Sequence, residues 1–142
     1  MVAVVGDLQT DVYTILNADS NVTSVTTEIT DGMPANLIKG GDGPFILVHT
    51  PTNTGDRLSI SNTKFKNKLR IEIEIFARQE KNVRNLIDKV STALIDGQDT
   101  TRAHKYYWCN PKQNTIEPVW LTGETSKPLW HSSLFVEYFL VA

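Results

Sequence analysis

Leu69-Arg70-Ile71-Glu72-Ile73-Glu74-Ile75-Phe76 alternates apolar and charged residues without a break, and this stretch decides the fold. Successive side chains of a strand point to opposite faces, so Leu69, Ile71, Ile73 and Ile75 share one face while Arg70, Glu72 and Glu74 share the other. One face is buried; the other is wet or lies against a polar partner. A helix follows at once, because Val83, Leu86, Ile87, Val90 and Leu94 recur at helical spacing, with Asp88 and Lys89 on the far side and Gly97 placed to end it. The eight strand residues span about 26 Å. The fifteen residues from Lys81 to Ile95 span about 22 Å as helix, enough to cover that strand.

Toward the N-terminus, Leu8, Val12, Ile15 and Leu16 share one face of a helix over Asp7 to Asn17, with Asp7 as its N-cap. Valines and threonines favour extended chain from Ser20 to Thr30, and Asp31-Gly32 with Pro34 marks a turn. Lys39-Gly40-Gly41-Asp42-Gly43-Pro44 is a second break. Phe45-Ile46-Leu47-Val48 is a short apolar run between turn signals, which reads as a strand buried on both faces, near the middle of a sheet. Thr50 to Lys68 is polar, with only Leu58, Ile60 and Phe65 as apolar anchors, and reads as a long connection holding one short strand around Ile60. It collects Arg57, Lys64, Lys66 and Lys68 against Asp56, a local charge of +3 in a chain of net charge -2.

Toward the C-terminus, Gly97 to Ala103 reads as loop. Tyr106-Tyr107-Trp108-Cys109 and Thr115 to Leu121 read as two strands around an Asn110-Pro111-Lys112-Gln113 turn, with Pro118 marking an edge or a bulge. Trp130 to Val141 is a last strand, largely apolar on both faces and so inside the sheet. The expected architecture is α+β: a mixed or antiparallel sheet of four to six strands with two main helices packed on one face, in a single domain over residues 1–142.

No residue pattern announces a chemistry, and neither a cofactor nor a metal is expected. His49, His104 and His131 are far apart in sequence and none has a partner at metal-ligand spacing, so they read as structural or solvated. Cys109, the one cysteine, excludes an internal disulfide framework and reads as a small apolar filler. Glu72 and Glu74, about 7 Å apart on one strand face, superficially resemble an acid-base pair. Catalysis needs one such carboxyl desolvated, and with Arg70 on the same face a charged ladder or subunit contact is the plainer reading. Gly40-Gly41-Asp42-Gly43 lacks the lysine and hydroxyl of a phosphate loop and precedes a strand, so it reads as a turn. No Gly-Xaa-Ser-Xaa-Gly elbow occurs.

The slightly acidic balance gives no overall field toward nucleic acid or an anionic membrane. No segment approaches the roughly 18 consecutive apolar residues of a membrane span, and Met1 to Asp7 lacks the basic leader of a signal peptide. Asn21-Val22-Thr23 matches the glycosylation tripeptide by chance on that reading. Eight of the twelve aromatic residues follow residue 105. Tyr106 and Trp108, on one face, offer a base-stacking platform as the alternative to core or interface use, which would make the chain a small single-stranded nucleic-acid-binding module. Trp120 and Trp130 suit a protein contact.

Across all 142 residues the chain resembles the tail-terminator, or tail-completion, proteins of long-tailed bacteriophages and the related neck proteins. The features that carry the resemblance are the first helix ending in Ala18-Asp19-Ser20-Asn21-Val22, the strand start Gly43-Pro44-Phe45-Ile46-Leu47-Val48, the strand-helix unit from Leu69 to Leu94, and the final strand ending Phe139-Leu140-Val141-Ala142. The resemblance implies a non-enzymatic protein that forms a hexameric ring, stops the tail tube and offers the surface to which the filled head attaches. It implies as partners further copies of the chain, the tail-tube protein, the head-tail connector or neck, and DNA passing through the ring, and as location the virion, assembled in a host cytoplasm. A head-closure, neck or minor tail protein of the same pathway is the nearest alternative. The family's mobile loop corresponds by location to Thr50 to Lys68. Its Arg57, Lys64, Lys66 and Lys68, with Arg70, Glu72 and Glu74 on the adjoining strand, are the expected partner-binding residues. An acidic tube subunit suits these cations better than DNA, since +3 per subunit is modest, and a merely solvated loop is the plain alternative.

Overall fold

A computed structural model describes residues 5–26, 28–31, 44–53, 56–57, 65–103, 106–119 and 128–140. The turns expected at Gly32 to Gly43, the strand around Ile60, Lys64, His104 and Trp120 lie outside them. The expected α+β class is what the chain adopts. Helix α1 (Val5–Ala18) buries Leu8, Val12, Ile15 and Leu16 along one stripe. It is already helical at Val5, so Asp7 lies in its first turn and does not cap it.

The expected extended stretch after α1 is corrected. Asp19, in extended backbone conformation, accepts hydrogen bonds from the amides of Asn21 (2.9 Å) and Val22 (3.1 Å) and so caps a single helical turn, α2 (Ser20–Thr23). Capping by a local carboxylate outweighs the β-preference of Val22 and Thr23. Among the described residues of the predicted extended run, strand β1 (Ile29–Thr30) is the part that is strand.

Strand β2 (Phe45–Val48) is buried at every position, as read, and runs parallel to β1. It pairs antiparallel with β5 (Phe65–Ala77), the long strand that contains the opening sequence. Two further pieces, β3 (Thr52–Asn53) and β4 (Asp56–Arg57), pair with β5 at Arg70–Leu69 and Lys66–Phe65. The described residues of the polar segment after β2 therefore include an arm that runs antiparallel along one edge of β5, where a loop was expected. Backbone hydrogen bonding along an edge needs no apolar alternation, which is why the residue pattern did not reveal it.

Helix α3 (Glu80–Asp96) buries Val83, Leu86, Ile87, Val90, Ala93 and Leu94 against the sheet. Gly97 follows, but at φ -86 it needs no left-handed backbone. A Cβ there would stand 2.7 Å from Ile15 Cγ2, so glycine is required by the close approach of α1. Residues Gln98–Ala103 form a short helix, α4, where a loop was expected; the Thr101 hydroxyl is buried and donates to the Gln98 carbonyl.

The predicted Asn110–Gln113 turn is also corrected. All four residues lie in β6 (Tyr106–Gln113), whose register against β8 (Leu129–Leu140) shifts between Tyr107 and Asn110. Such a bulge absorbs an irregular stretch without ending the strand, and Pro111 is tolerated because β6 is the outer strand. β7 (Glu117–Val119) continues along the same edge of β8, and Pro118 sits there. The Asn114 carbonyl between them accepts from the Ser132 hydroxyl (2.9 Å).

The main order is β1-β2-β5-β8-β6, so β8 is internal as read, and the first pair alone is parallel. One core joins α1, α2 and α3 to Ile46 and Val48 of β2, Ile71, Ile73 and Ile75 of β5, and Leu134, Val136 and Tyr138 of β8. Gly97→Ala should lower stability by about 1–3 kcal/mol through overpacking against Ile15. Urea unfolding should show that loss to be less than additive with Ile15→Ala, since the second change removes the clash.

Candidate functional site on the open face of the sheet

The helices cover one face of β5, so its even-numbered residues set the chemistry of the other. β8 lies beside β5 with Glu72 opposite Phe135, Glu74 opposite Ser133 and Phe76 opposite His131. On the far side Leu47 lies opposite Glu74, and the ladder continues one step past β2, where the His49 amide donates to the Glu72 carbonyl (3.0 Å). Parity then puts His49, Glu72, Glu74, His131 and Ser133 on one surface drawn from three chain segments.

Glu74 is the centre of this group. Its Oε2 lies 2.7 Å from His49 Nε2 and its Oε1 lies 3.0 Å from His131 Nε2, so one carboxylate bridges two imidazoles. Glu72 Oε2 accepts from the Ser133 hydroxyl at 3.0 Å. The His131 ring packs on Phe76 at 4.6 Å between centroids, which fixes its orientation. Phe76 belongs with Phe45, Leu47 and Leu129 to a small second core that anchors this end of the face. Beside it, a groove of about 270 Å³ is lined by His49, Thr50, Thr52, Arg70, Glu72 and Phe135.

The other end of the face carries cations and aromatic rings. The Arg70 guanidinium stacks 4.0 Å above Phe135, and Lys68 Nζ lies 6.0 Å from the Phe139 centroid. Glu137 pairs with Lys68 and, at 3.4 Å, with Lys112. The hydrogen bond from Lys68, with a further one from Lys112, holds the Glu137 carboxyl below its usual range despite partial desolvation.

Four of the expected partner-binding residues, Lys68, Arg70, Glu72 and Glu74, thus stand in one row on β5. Arg57 is placed in β4 and Lys66 in β5, both within strand ladders, and Lys64 lies outside the described residues. Reading the residues alone missed His49, His131, Ser133, Phe135 and Glu137 as neighbours of that row. Their sequence separations from Glu74, 25 residues for His49 and 57 for His131, carry no motif that connects the histidines to it. The only available signal was parity: His49 sits two residues beyond Leu47, and His131 starts the alternation that continues through Phe135. The base-stacking alternative loses one of its two residues, since Tyr106 is fully buried in the core; the side chain of the other, Trp108, lies outside the described ones.

No protein-family model matches the chain, and no curated protein matches it in sequence. A solved structure does match: a chain in the virion of a native gene transfer agent particle, with a TM-score of 0.64 over 98% of this chain and 98% of that one, at 14% identity. The fold is shared with that virion chain. Among the described residues, no helix is long and apolar enough to cross a membrane.

Because the Glu137 pKa is depressed in the folded protein, its contribution to stability is present above the ordinary carboxylate range and is lost as pH falls through the lowered value. Glu137→Gln should cost about 1 kcal/mol or less at neutral pH, the pair being partly solvated. Chemical denaturation at a series of pH values should show the difference from wild type shrinking in acid.

Proposed function

We propose that the chain is a non-enzymatic structural protein of a phage-like virion, one that forms a ring, hexameric by analogy with the tail terminators it resembles, ends the tail tube and joins it to the head connector. The observation that carries this reading is the likeness to a virion chain over the whole length of both proteins. A fold shared end to end at 14% identity fits a protein whose work is done by shape and surface. The reading places the protein in the virion after assembly in a host cytoplasm.

Physical features of the surface support it. A ring needs a heterologous contact, two different patches of each subunit meeting so that the rotation closes. The open face supplies one patch with Lys68, Arg70, Glu72 and Glu74 in a row and Phe135 and Phe139 beside them. The outer edge of β6 and the arm carrying Arg57 offer a second. Together with Lys64 and Lys66, these charges suit an acidic tube subunit, a connector protein, or DNA in the ring's passage.

Native mass spectrometry with negative-stain imaging, with and without tail tubes, tests the proposal. Six-fold rings, formed alone or on tubes, are expected. A monomer that binds neither tube nor connector would overturn it, and binding to the connector alone would reassign the protein to head closure. Arg70→Glu, at an exposed position, should weaken ring closure or tube docking at least tenfold while leaving the thermal transition within a few degrees of wild type.

A further inference from the structure

The convergence of His49 on Glu72 and Glu74 goes beyond the ring contact argued above, which uses only the charged row of β5. One imidazole nitrogen and two carboxylate oxygens of these side chains lie within 4.8 Å of one another. No lysine or arginine among the described residues forms an ion pair with Glu72 or Glu74. Lys68 turns to Glu137 and Arg70 lies over Phe135. Two adjacent carboxylates without an ammonium or guanidinium between them, flanked by imidazoles, make a donor set for a cation of intermediate softness.

We propose that His49 Nε2, Glu72 and Glu74 Oε2 bind one divalent transition-metal ion, Zn²⁺ being the representative, at the floor of the groove beside β3. Donors about 2.1 Å from zinc in a tetrahedral site lie about 3.4 Å apart, so His49 Nε2 and Glu74 Oε2, now 2.7 Å apart, must part slightly while wider separations, within 4.8 Å, close by about 1 Å. Rotation of a half-exposed histidine and two partly exposed glutamates supplies that movement without shifting the strands. His131 is the positioning residue. Its bond to Glu74 Oε1 leaves Oε2 free to ligate, and its stacking on Phe76 keeps the carboxylate aimed. Ser133 does the same for Glu72 by occupying one of its oxygens. Three protein ligands leave a fourth position open toward the groove, available to water or to an oxygen donor from outside. The ion would tie the end of β2 to β5 across the face used for docking.

The test uses full-length wild-type protein stripped with a chelator and titrated with Zn²⁺ by calorimetry and with Co²⁺ by visible absorption. One equivalent should bind in the micromolar range, with the intense visible bands of low-coordinate cobalt. His49→Ala and Glu74→Gln should each weaken binding at least tenfold. His131→Ala should weaken it by about 10–100-fold, and His131→Gln, which keeps an N–H donor, by less. Glu117→Gln, exposed on β7, should change nothing. Should a variant fail to fold, the imidazole nitrogen spectrum of the wild type decides, because Zn²⁺ must shift the His49 Nε2 resonance. Absence of binding, binding that survives His49→Ala and Glu74→Gln, or an unmoved His49 signal would overturn the site. The ring proposal would stand or fall separately.

Discussion

The antiparallel pairing of β5 with β8 sets everything else in place. It runs unbroken from Asn67 opposite Leu140 to Ala77 opposite Trp130, and both strands are internal. Because side chains alternate, a slip of β5 by one residue would send Ile71 and Ile73 to the open face and bring Glu72 and Glu74 under the helices. Burying two carboxylates without partners opposes that slip strongly. The same rule that protects the core therefore also assembles the polar face, and neither can change without the other.

From this ladder the outer elements take their positions by simple edge chemistry. One edge of β5 receives β2, β3 and β4 in succession, and one edge of β8 receives β6 and β7. Each succession is interrupted at a point of irregular sequence and resumes, so the chain keeps its backbone bonds while prolines and polar residues are tolerated at the margin. The helices need only one face. Gly97 marks a close approach of α1 to the end of α3, a contact made by the lack of a side chain.

How much could be read in advance differed by element. The strand at Leu69 to Phe76, the helix from Val83 to Leu94, the buried run Phe45 to Val48 and the internal last strand were legible, because each carries an apolar period that only one conformation can bury. Reading failed where a local bond or a backbone edge outweighed composition: the Asp19 cap turned a β-like run into a helical turn, and the β6 bulge carried Asn110 to Gln113 through as strand. The face bearing Arg70, Glu72 and Glu74 was legible as charged. Its histidines were not, since the proximity of His49 and His131 to Glu74 depends on which strands flank β5 and in what register.

The sequence by itself determined the class of the fold, the two faces of its central strand and the charged character of the outward one, because these follow from side-chain period and the cost of burying charge. Only the tertiary structure decided that two histidines distant in the chain meet on one glutamate, that a polar segment lies along a strand edge, and that Arg70 rests on Phe135. Those outcomes depend on strand order and register, which are settled by the packing of the whole sheet and are written in no local stretch.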